Sequence, residues 1–280
     1  MDAAVAVARD VGLDVREPRL LRDLTNVLVH LAPEPVVARV PMTFTRLRGR
    51  AWIEHELEIT AFLAQAGAQV AGPARSVDPG PYERDGFLVT LWEYIDHDRD
   101  RPLDTGRAGE ALREIHELLS DRNARGLEHF ARLEEIETLV ATLELSQGER
   151  ALFEEGLAAA WSTVESLELT LQPVHGDAHR WNLLHTPTGP LWSDFENVCL
   201  GPRELDIACN EIRVRAHGRQ REDDELLAGY GDFDQELVPR LIPVHALFLA
   251  AWTFALTERT SSYRPHAVER LGWVREGFGL

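Results

Sequence analysis

The sequence predicts an α+β fold of two lobes, a small strand-rich N-terminal lobe and a larger helical C-terminal lobe. Short runs of β-branched residues surround one helical pattern in the first 94 residues. A polar, turn-rich segment follows at residues 95–106 (IDHDRDRPLDTG), and helical periodicity dominates beyond it. The chain has 280 residues and 44% apolar content, enough for two lobes. The predicted domains are therefore residues 1–94 and 95–280.

The first lobe is predicted to contain a β-hairpin, a helix and a buried strand. Residues 26–31 (NVLVHL) and 35–40 (PVVARV) are short, rich in β-branched side chains and separated by Ala-Pro-Glu, which is typical of a hairpin. Residues 51–65 (AWIEHELEITAFLAQ) place apolar side chains at helical spacing, and Gly67 lies near the expected end of this helix. The continuous apolar run at residues 86–94 (GFLVTLWEY) suits a buried strand.

The second lobe is predicted to be mainly helical, with one insertion of short strands. Helical patterns occur at residues 107–119, 129–145 and 149–168. Short strands and a loop interrupt them at residues 171–192, and helices resume from residue 205. The insertion therefore separates two helical regions.

Composition and charge make several classes of protein improbable. The net charge of −18 repels phosphate backbones, so we expect no nucleic-acid partner. The negative charge is only weak evidence for a cationic partner, because a surplus of acidic residues also keeps a protein soluble. Pro243 and His245 interrupt the apolar stretch at residues 241–256, which indicates a buried helix and no membrane span. The N-terminus shows no pattern of a secretory signal. The two cysteines, Cys199 and Cys209, are too few for a disulfide framework and lack the spacing of metal ligands. Both observations predict a cytoplasmic protein.

The residues that carry chemistry lie in two neighbouring motifs, VHGDAHRWNLL and WSDFE. The first contains Asp177 followed five residues later by Asn182, and the second contains Asp194. Phosphoryl transfer from ATP requires a carboxylate that accepts the hydroxyl proton and oxygen ligands for Mg²⁺. The kinase pattern H-R-D-x-x-x-x-N followed by D-F-G supplies them at the same spacing. Asp177 is therefore the candidate catalytic base, and Asn182 and Asp194 are the candidate metal ligands.

Together with GPRELDIA at residues 201–208, these motifs resemble the aminoglycoside phosphotransferase and choline kinase-like superfamily. The motif core spans residues 174–208, and the order of the lobes extends the resemblance to most of the chain. The resemblance implies a protein-kinase-like fold, ATP and Mg²⁺ as cofactors, and transfer of the γ-phosphoryl group to a small-molecule hydroxyl. It also implies that His175 supports the catalytic loop and that Asp206 ties a helix start to that loop.

The resemblance assigns the phosphate contacts to the first lobe. Arg39 takes the position of the usual strand Lys, and strand alternation allows it to face the expected cleft between the lobes. An exposed position at the sheet edge is the alternative for Arg39. Glu56 of the following helix is the expected partner acid, with Glu54 and Glu58 as competitors.

Two further segments are assigned to the nucleotide. Residues 20–30 contain no glycine, in contrast to most kinase nucleotide loops, so Thr25 and Asn26 are expected to donate to phosphate instead. The lobe connection that binds adenine through its backbone is expected at three consecutive residues, Trp92, Glu93 and Tyr94. A buried edge strand is the alternative interpretation of that run, and both can hold together.

The predicted function is an ATP-dependent small-molecule O-kinase. Its acceptor would be an aminoglycoside-like compound, an amino sugar or an amino alcohol. The acidic residues that could face a cationic acceptor are Glu211, Asp223, Asp224 and Glu258. A nucleotide-binding pseudokinase that serves as an interaction module is the alternative, favoured by the missing glycines. A protein kinase is disfavoured because no A-P-E motif follows and Gly201 lies only seven positions after Asp194, too few for a long activation loop.

Overall fold

The computed structural model describes residues 1–42, 45–98, 100–122 and 126–280. The chain forms two compact units. The first unit comprises residues 1–118, 181–197 and 228–230, and the second comprises residues 119–180, 198–227 and 231–280. The division into lobes after residue 94 stays a prediction.

A five-stranded antiparallel sheet with the order β1-β2-β3-β5-β4 forms the centre of the first unit. Its strands are β1 (Glu17–Asp23), β2 (Asn26–Ala32), β3 (Val36–Pro41), β4 (Tyr82–Arg84) and β5 (Phe87–Glu93). The predicted hairpin is β2 and β3, and the predicted buried strand is β5. Side chains of β2, β3 and β5 supply most of the hydrophobic core that packs against the sheet. Many of them are valines, which suit a pleated surface because they are β-branched. The structure adds β1 and β4 to the prediction.

Helices and a second hairpin complete the first unit. The helices are α1 (Asp2–Asp10), α2 (Thr45–Gln65) and α3 (Thr105–Leu119), whose last residue belongs to the second unit. Gly49 interrupts α2 with φ 64° and ψ −169°, a conformation that glycine adopts without a Cβ clash. The predicted helix at residues 51–65 is the part of α2 after this interruption. The short hairpin is formed by β7 (Leu183–Thr186) and β8 (Gly189–Trp192).

The second unit is mainly helical. Its helices are α4 (Leu133–Thr142), α5 (Gln147–Glu165), α6 (Glu204–His217), α7 (Arg221–Tyr230), α8 (Val238–Thr257) and α9 (Arg264–Phe278). The last three residues of α7 belong to the first unit. A two-stranded antiparallel sheet pairs β6 (Gln172–Val174) with β9 (Cys199–Gly201).

The central helix of the second unit is α8, which packs against α4, α5, α6 and α9. Phe254 of α8 contacts Phe153 of α5 edge to face, with ring centroids 5.5 Å apart. Among the described residues, α8 alone is long and apolar enough to cross a membrane, but 78% of its apolar window is buried within the protein. The predicted buried helix is therefore present.

Candidate active site

A buried carboxylate at the start of α6 holds the segment that follows β6 and contains the candidate base Asp177, called here the candidate catalytic segment. The backbone N–H groups of His175 and Gly176 donate to Asp206 at 2.9 and 2.7 Å, and the Asp206 side chain is fully buried. His175 is also buried, and its Nδ1 accepts a long hydrogen bond of 3.4 Å from the N–H of Asp177. The contact expected between Asp206 and the loop is therefore present as two hydrogen bonds. His175 supports the same loop through its bond to the N–H of Asp177.

The carboxylate of Asp177 lies between a guanidinium and an imidazole. Arg213 Nη2 donates to both carboxylate oxygens at 3.2 and 3.4 Å, and His179 Nε2 lies 3.4 Å from Oδ1. Burial raises the pKa of Asp177, but the charges of His179 and Arg213 outweigh burial and hold this pKa well below its usual value. Burial lowers the pKa of His179, and the negative charge of Asp177 opposes this shift. Asp177 is therefore ionised and ready to accept a proton or a hydrogen bond.

Arg213 is a residue of this site that the sequence analysis did not single out. It lies on α6, seven residues after Asp206. Residues two helical turns apart share one face, so both side chains point toward the candidate catalytic segment. This spacing is the signal that identifies Arg213 once Asp206 is assigned to the loop.

The β7–β8 hairpin brings the chain positions of the two candidate metal ligands, Asn182 and Asp194, to its open end. The carbonyl of Asn182 accepts hydrogen bonds from the N–H and the Oγ of Ser193, both at 2.9 Å. Asp194 follows with φ 66°, a left-handed conformation that Asp tolerates better than most residues. Its side chain is 31% exposed. The hairpin therefore joins Asn182 to Ser193, the residue before Asp194, and the gathering of Asp177, Asn182 and Asp194 in one site stays a prediction.

These two side chains suit Mg²⁺ that is shared with phosphate oxygens. Among the described residues, no group of three or more His, Cys, Asp or Glu side chains could hold a metal ion. Mg²⁺ commonly binds through one or two protein oxygens and completes its shell with water and substrate phosphates. A carboxylate and an amide oxygen at one hairpin end fit that mode of binding, and their role as ligands stays a prediction.

Arg39 of β3 forms a buried ion pair with Glu56 of α2. Arg39 Nη1 donates to Glu56 Oε1 at 2.7 Å, and Nη2 donates to the second carboxylate oxygen. Arg39 is only 6% exposed and Glu56 only 1%, which excludes a solvated edge position for Arg39. The competing acid Glu54 is half exposed and pairs with Arg50 at 2.8 Å. The partner acid of Arg39 is therefore Glu56.

Two further groups contact Arg39. Asp194 Oδ1 lies 3.9 Å from Nη1, and the guanidinium lies 4.8 Å from the ring centroid of Trp92. Burial lowers the pKa of Arg39, but the charges of Glu56, Glu196 and Asp194 outweigh burial and raise it above the ordinary value. Arg39 is therefore a permanent cation beside a candidate metal ligand, and contact with phosphate stays a prediction.

Thr25 and Asn26 line a concavity in the first unit, together with Arg39. Asn26 is 5% exposed, and its Nδ2 donates to a Glu196 carboxylate oxygen at 2.7 Å. The carbonyl of Glu196 accepts from Trp52 Nε1 at 2.5 Å. Glu196 thus holds the segment after Asp194 against the β1–β2 turn, although the sequence analysis did not count it among the site residues.

The predicted adenine-binding segment ends β5. The N–H of Glu93 donates to the carbonyl of Gly72 at 3.2 Å, and that of Tyr94 donates to the carbonyl of Pro35 at 2.9 Å. Both donors are engaged within the first unit, so contact with adenine by these two residues would use their carbonyl groups. The Tyr94 ring stacks on His30 at a centroid distance of 3.7 Å. The role of Trp92, Glu93 and Tyr94 in nucleotide binding stays a prediction.

The sequence profile of the phosphotransferase enzyme family matches residues 14–243. The chain belongs to this family. A search of the curated proteins gives no match to this phosphotransferase.

Solved structures share the fold of the phosphotransferase at low sequence identity. An amicoumacin kinase is 13% identical with a TM-score of 0.78, over 99% of this chain and 94% of the kinase chain. A choline/ethanolamine kinase family protein from Mesorhizobium loti is 18% identical with a TM-score of 0.66, over 99% and 93% of the two chains. A spectinomycin phosphotransferase is 13% identical with a TM-score of 0.62, over 97% and 92%. The predictions of an α+β kinase-like fold and of a phosphotransferase enzyme are confirmed.

Proposed function

We propose that this phosphotransferase transfers the γ-phosphoryl group of ATP to a hydroxyl of a small molecule. Asp177 accepts the hydroxyl proton, and Asn182 and Asp194 would hold Mg²⁺. Arg39, positioned by Glu56, contacts the phosphates, and residues 25–26 and 92–94 border the nucleotide. Bound Mg²⁺ would neutralise charge on the phosphoryl oxygens.

The observation that carries this proposal is the ionised carboxylate of Asp177 on a loop clamped by Asp206. Little covalent chemistry is required of a kinase, so positioning and charge account for most of the rate. A carboxylate with a lowered pKa is a weak base in solution, but it still orients a hydroxyl and accepts its proton late in the transfer. The nucleotides bound in solved relatives support the use of ATP, since the amicoumacin kinase was solved with AMP-PNP and Ca²⁺.

The acceptor is proposed at the level of its chemical class. The solved relatives include enzymes named for amicoumacin, choline and spectinomycin, which differ widely in size and charge. They support a small hydroxyl compound. A cytoplasmic location belongs to the same proposal, because Cys199 and Cys209 are free buried thiols that suit a reducing compartment.

The pseudokinase alternative is favoured by one observation, the bond between Asn26 and Glu196 beside a loop without glycine. That bond engages an expected phosphate donor. The retained Asp177, Asn182 and Asp194 favour the enzyme, because a binding module has no need of a base and two metal ligands in the kinase spacing.

The test is ADP release from Mg-ATP in the presence of a broad panel of hydroxyl compounds. Wild-type protein should release ADP with at least one acceptor, and Asp177→Asn should abolish release without weakening AMP-PNP binding. Asp232→Asn changes an exposed carboxylate of the second unit in the same way and serves as the matched control. If wild type and Asp177→Asn were equally inert while both bound AMP-PNP, the pseudokinase alternative would replace the proposal.

A further inference from the structure

The backbone of Glu196 is fixed to α2 within the first unit. Glu196 belongs to a short 3₁₀ helix, residues 195–197. Its carbonyl accepts from Trp52 Nε1 at 2.5 Å and from Arg48 Nη1 at 3.2 Å. Arg48 also donates to Asn197 Oδ1 at 3.1 Å, and its guanidinium lies 4.1 Å from the ring centroid of Trp52. These contacts hold the chain at Glu196 without using its carboxylate.

The carboxylate of Glu196 contacts the turn between β1 and β2. Asn26 Nδ2 donates to Glu196 Oε2 at 2.7 Å, and Asn26 is 5% exposed. The backbone of this turn has hydrogen bonds of its own. The N–H of Leu24 donates to the carbonyl of Asn26 at 3.3 Å, and the N–H of Met42 donates to the carbonyl of Thr25 at 2.9 Å. The side-chain bond between Asn26 and Glu196 can therefore break while both backbone segments keep their hydrogen bonds.

Glu196 also balances the charge of the concavity that Asn26 lines. Among the described residues that line it, the charged ones are Arg39, Arg48, Glu56 and Glu196. Glu56 is engaged by two hydrogen bonds from Arg39. Burial lowers the pKa of Arg39, whereas the charge of Glu56 and the more distant charge of Glu196 raise it. Without the carboxylate of Glu196 the lining would carry two cations and one anion, a balance that suits phosphate.

A carboxylate and a phosphate offer an amide N–H the same kind of acceptor, a negatively charged oxygen, and such hydrogen bonds are strong. We propose that the carboxylate of Glu196 competes with a phosphate of the nucleotide for the side chain of Asn26, and thereby limits the affinity for nucleotide. The inference rests on the proposed function, which places phosphate at this turn. When ADP leaves, the carboxylate binds the amide again, which favours the release of product.

The test compares ADP with adenosine, which has no phosphate, by calorimetry on the full chain. Both ligands are titrated in EDTA, so that no metal ion takes part. Glu196→Gln should bind ADP about tenfold more tightly than wild type, because a like charge is removed and Asn26 becomes available to phosphate. Adenosine should bind wild type and variant equally. Glu196→Ala should also bind ADP more tightly, and it decides the test if Glu196→Gln fails to fold.

Glu83→Gln is the matched control. Glu83 is an exposed residue of β4, and β4 and β1 form opposite edges of the sheet. The substitution changes the net charge of −18 by the same amount as Glu196→Gln. ADP should therefore bind this variant as it binds wild type. An equal gain in Glu83→Gln would assign the effect to overall charge and overturn the inference.

Other outcomes separate a supporting role of Glu196 from competition. Weaker binding of ADP to both Glu196 variants would show that the carboxylate holds Asn26 in place for phosphate, and the inference would fail. Unchanged ADP affinity in EDTA, with a loss when Mg²⁺ is added, would make Glu196 a metal ligand and would also overturn it.

Failure of the proposed function gives a different pattern. If wild type binds neither ADP nor adenosine, the proposed function and the inference both fail. If ADP binds the Glu196 variants more tightly but no acceptor causes ADP release from ATP, phosphotransfer fails and the competition at Asn26 stands. If acceptors cause ADP release but the Glu196 variants bind ADP as wild type does, the inference alone fails.

Discussion

Replacing Glu56 by Gln should destabilise the first unit strongly, because Glu56 is the main counter-charge of a buried arginine. Glu56→Gln keeps the shape of the side chain and removes its negative charge. Arg39, at 6% exposure, would then keep the more distant charges of Glu196 and of Asp194, the latter at 3.9 Å. Removing one partner of a buried ion pair typically costs about 3–5 kcal/mol. Because Asp194 offsets part of this cost, we expect a loss of about 3 kcal/mol in the free energy of unfolding.

The matched control lies two residues away on the same helix. Glu54→Gln breaks the exposed pair with Arg50, whose side chain is 52% exposed. Exposed helix pairs contribute about 0.3–0.5 kcal/mol, so this variant should be nearly as stable as wild type. A double variant, Arg39→Met with Glu56→Leu, should recover much of the loss, because apolar replacements of buried pairs pack well.

Urea unfolding followed by tryptophan fluorescence measures these differences, since Trp52 and Trp92 lie near the pair. With a slope of about 2–3 kcal/mol/M, the midpoint of Glu56→Gln should fall by about 1 M. The reasoning is refuted if the midpoint moves no further in Glu56→Gln than in Glu54→Gln.

Three further predictions concern the second unit. Asp206→Asn weakens the clamp on the candidate catalytic segment and should cost about 3 kcal/mol in unfolding free energy, together with most phosphotransfer, measured by urea titration and ADP release. Folding lowers the pKa of His245 from 6.5 to about 4. Between these pH values the unfolded protein binds a proton that the folded protein does not, so the free energy of unfolding should fall by about 3 kcal/mol as the pH falls from 6.5 to 4. Urea titrations across this pH range should show the loss in wild type, and His245→Phe should remove it. Ser146→Ala removes the capping box of α5 and should cost about 1 kcal/mol, measured by thermal unfolding.

The strands that bury their side chains were predictable, and the edge strands were not. The runs that form β2, β3 and β5 are apolar because both faces of these strands are largely covered, and such runs mark a strand directly. In β1, by contrast, six of seven residues are exposed, and its sequence EPRLLRD shows no alternation. Only its backbone pairing with β2 makes it a strand. Because this pairing depends on β2, the sequence of β1 itself carries no pattern that predicts a strand.

Contacts between residues that are distant in the chain account for the site residues that the sequence does not reveal. Asp177, Asn182 and Asp194 are recognisable because their spacing within the chain carries the chemistry. Arg213 reaches Asp177 from 36 residues away, and Glu196 reaches Asn26 from 170 residues away. No local periodicity encodes such contacts. The pair of Arg39 and Glu56 is partly predictable. The sequence limits the partner acid to three glutamates of the next helix, and burial in the structure selects Glu56 among them.

The discontinuity of the first unit has a consequence for synthesis on the ribosome. Its N-terminal part ends at residue 118, but the segment that carries the Glu196 contact to Asn26 extends to residue 197. About 80 more residues must be translated before the segment with β7 and β8 can join this unit, which takes about 4–16 s at 5–20 residues per second. During that interval the emerging sheet lacks the hairpin of β7 and β8. Slow translation after residue 118 would therefore prolong exposure of an incomplete unit to proteases and to aggregation.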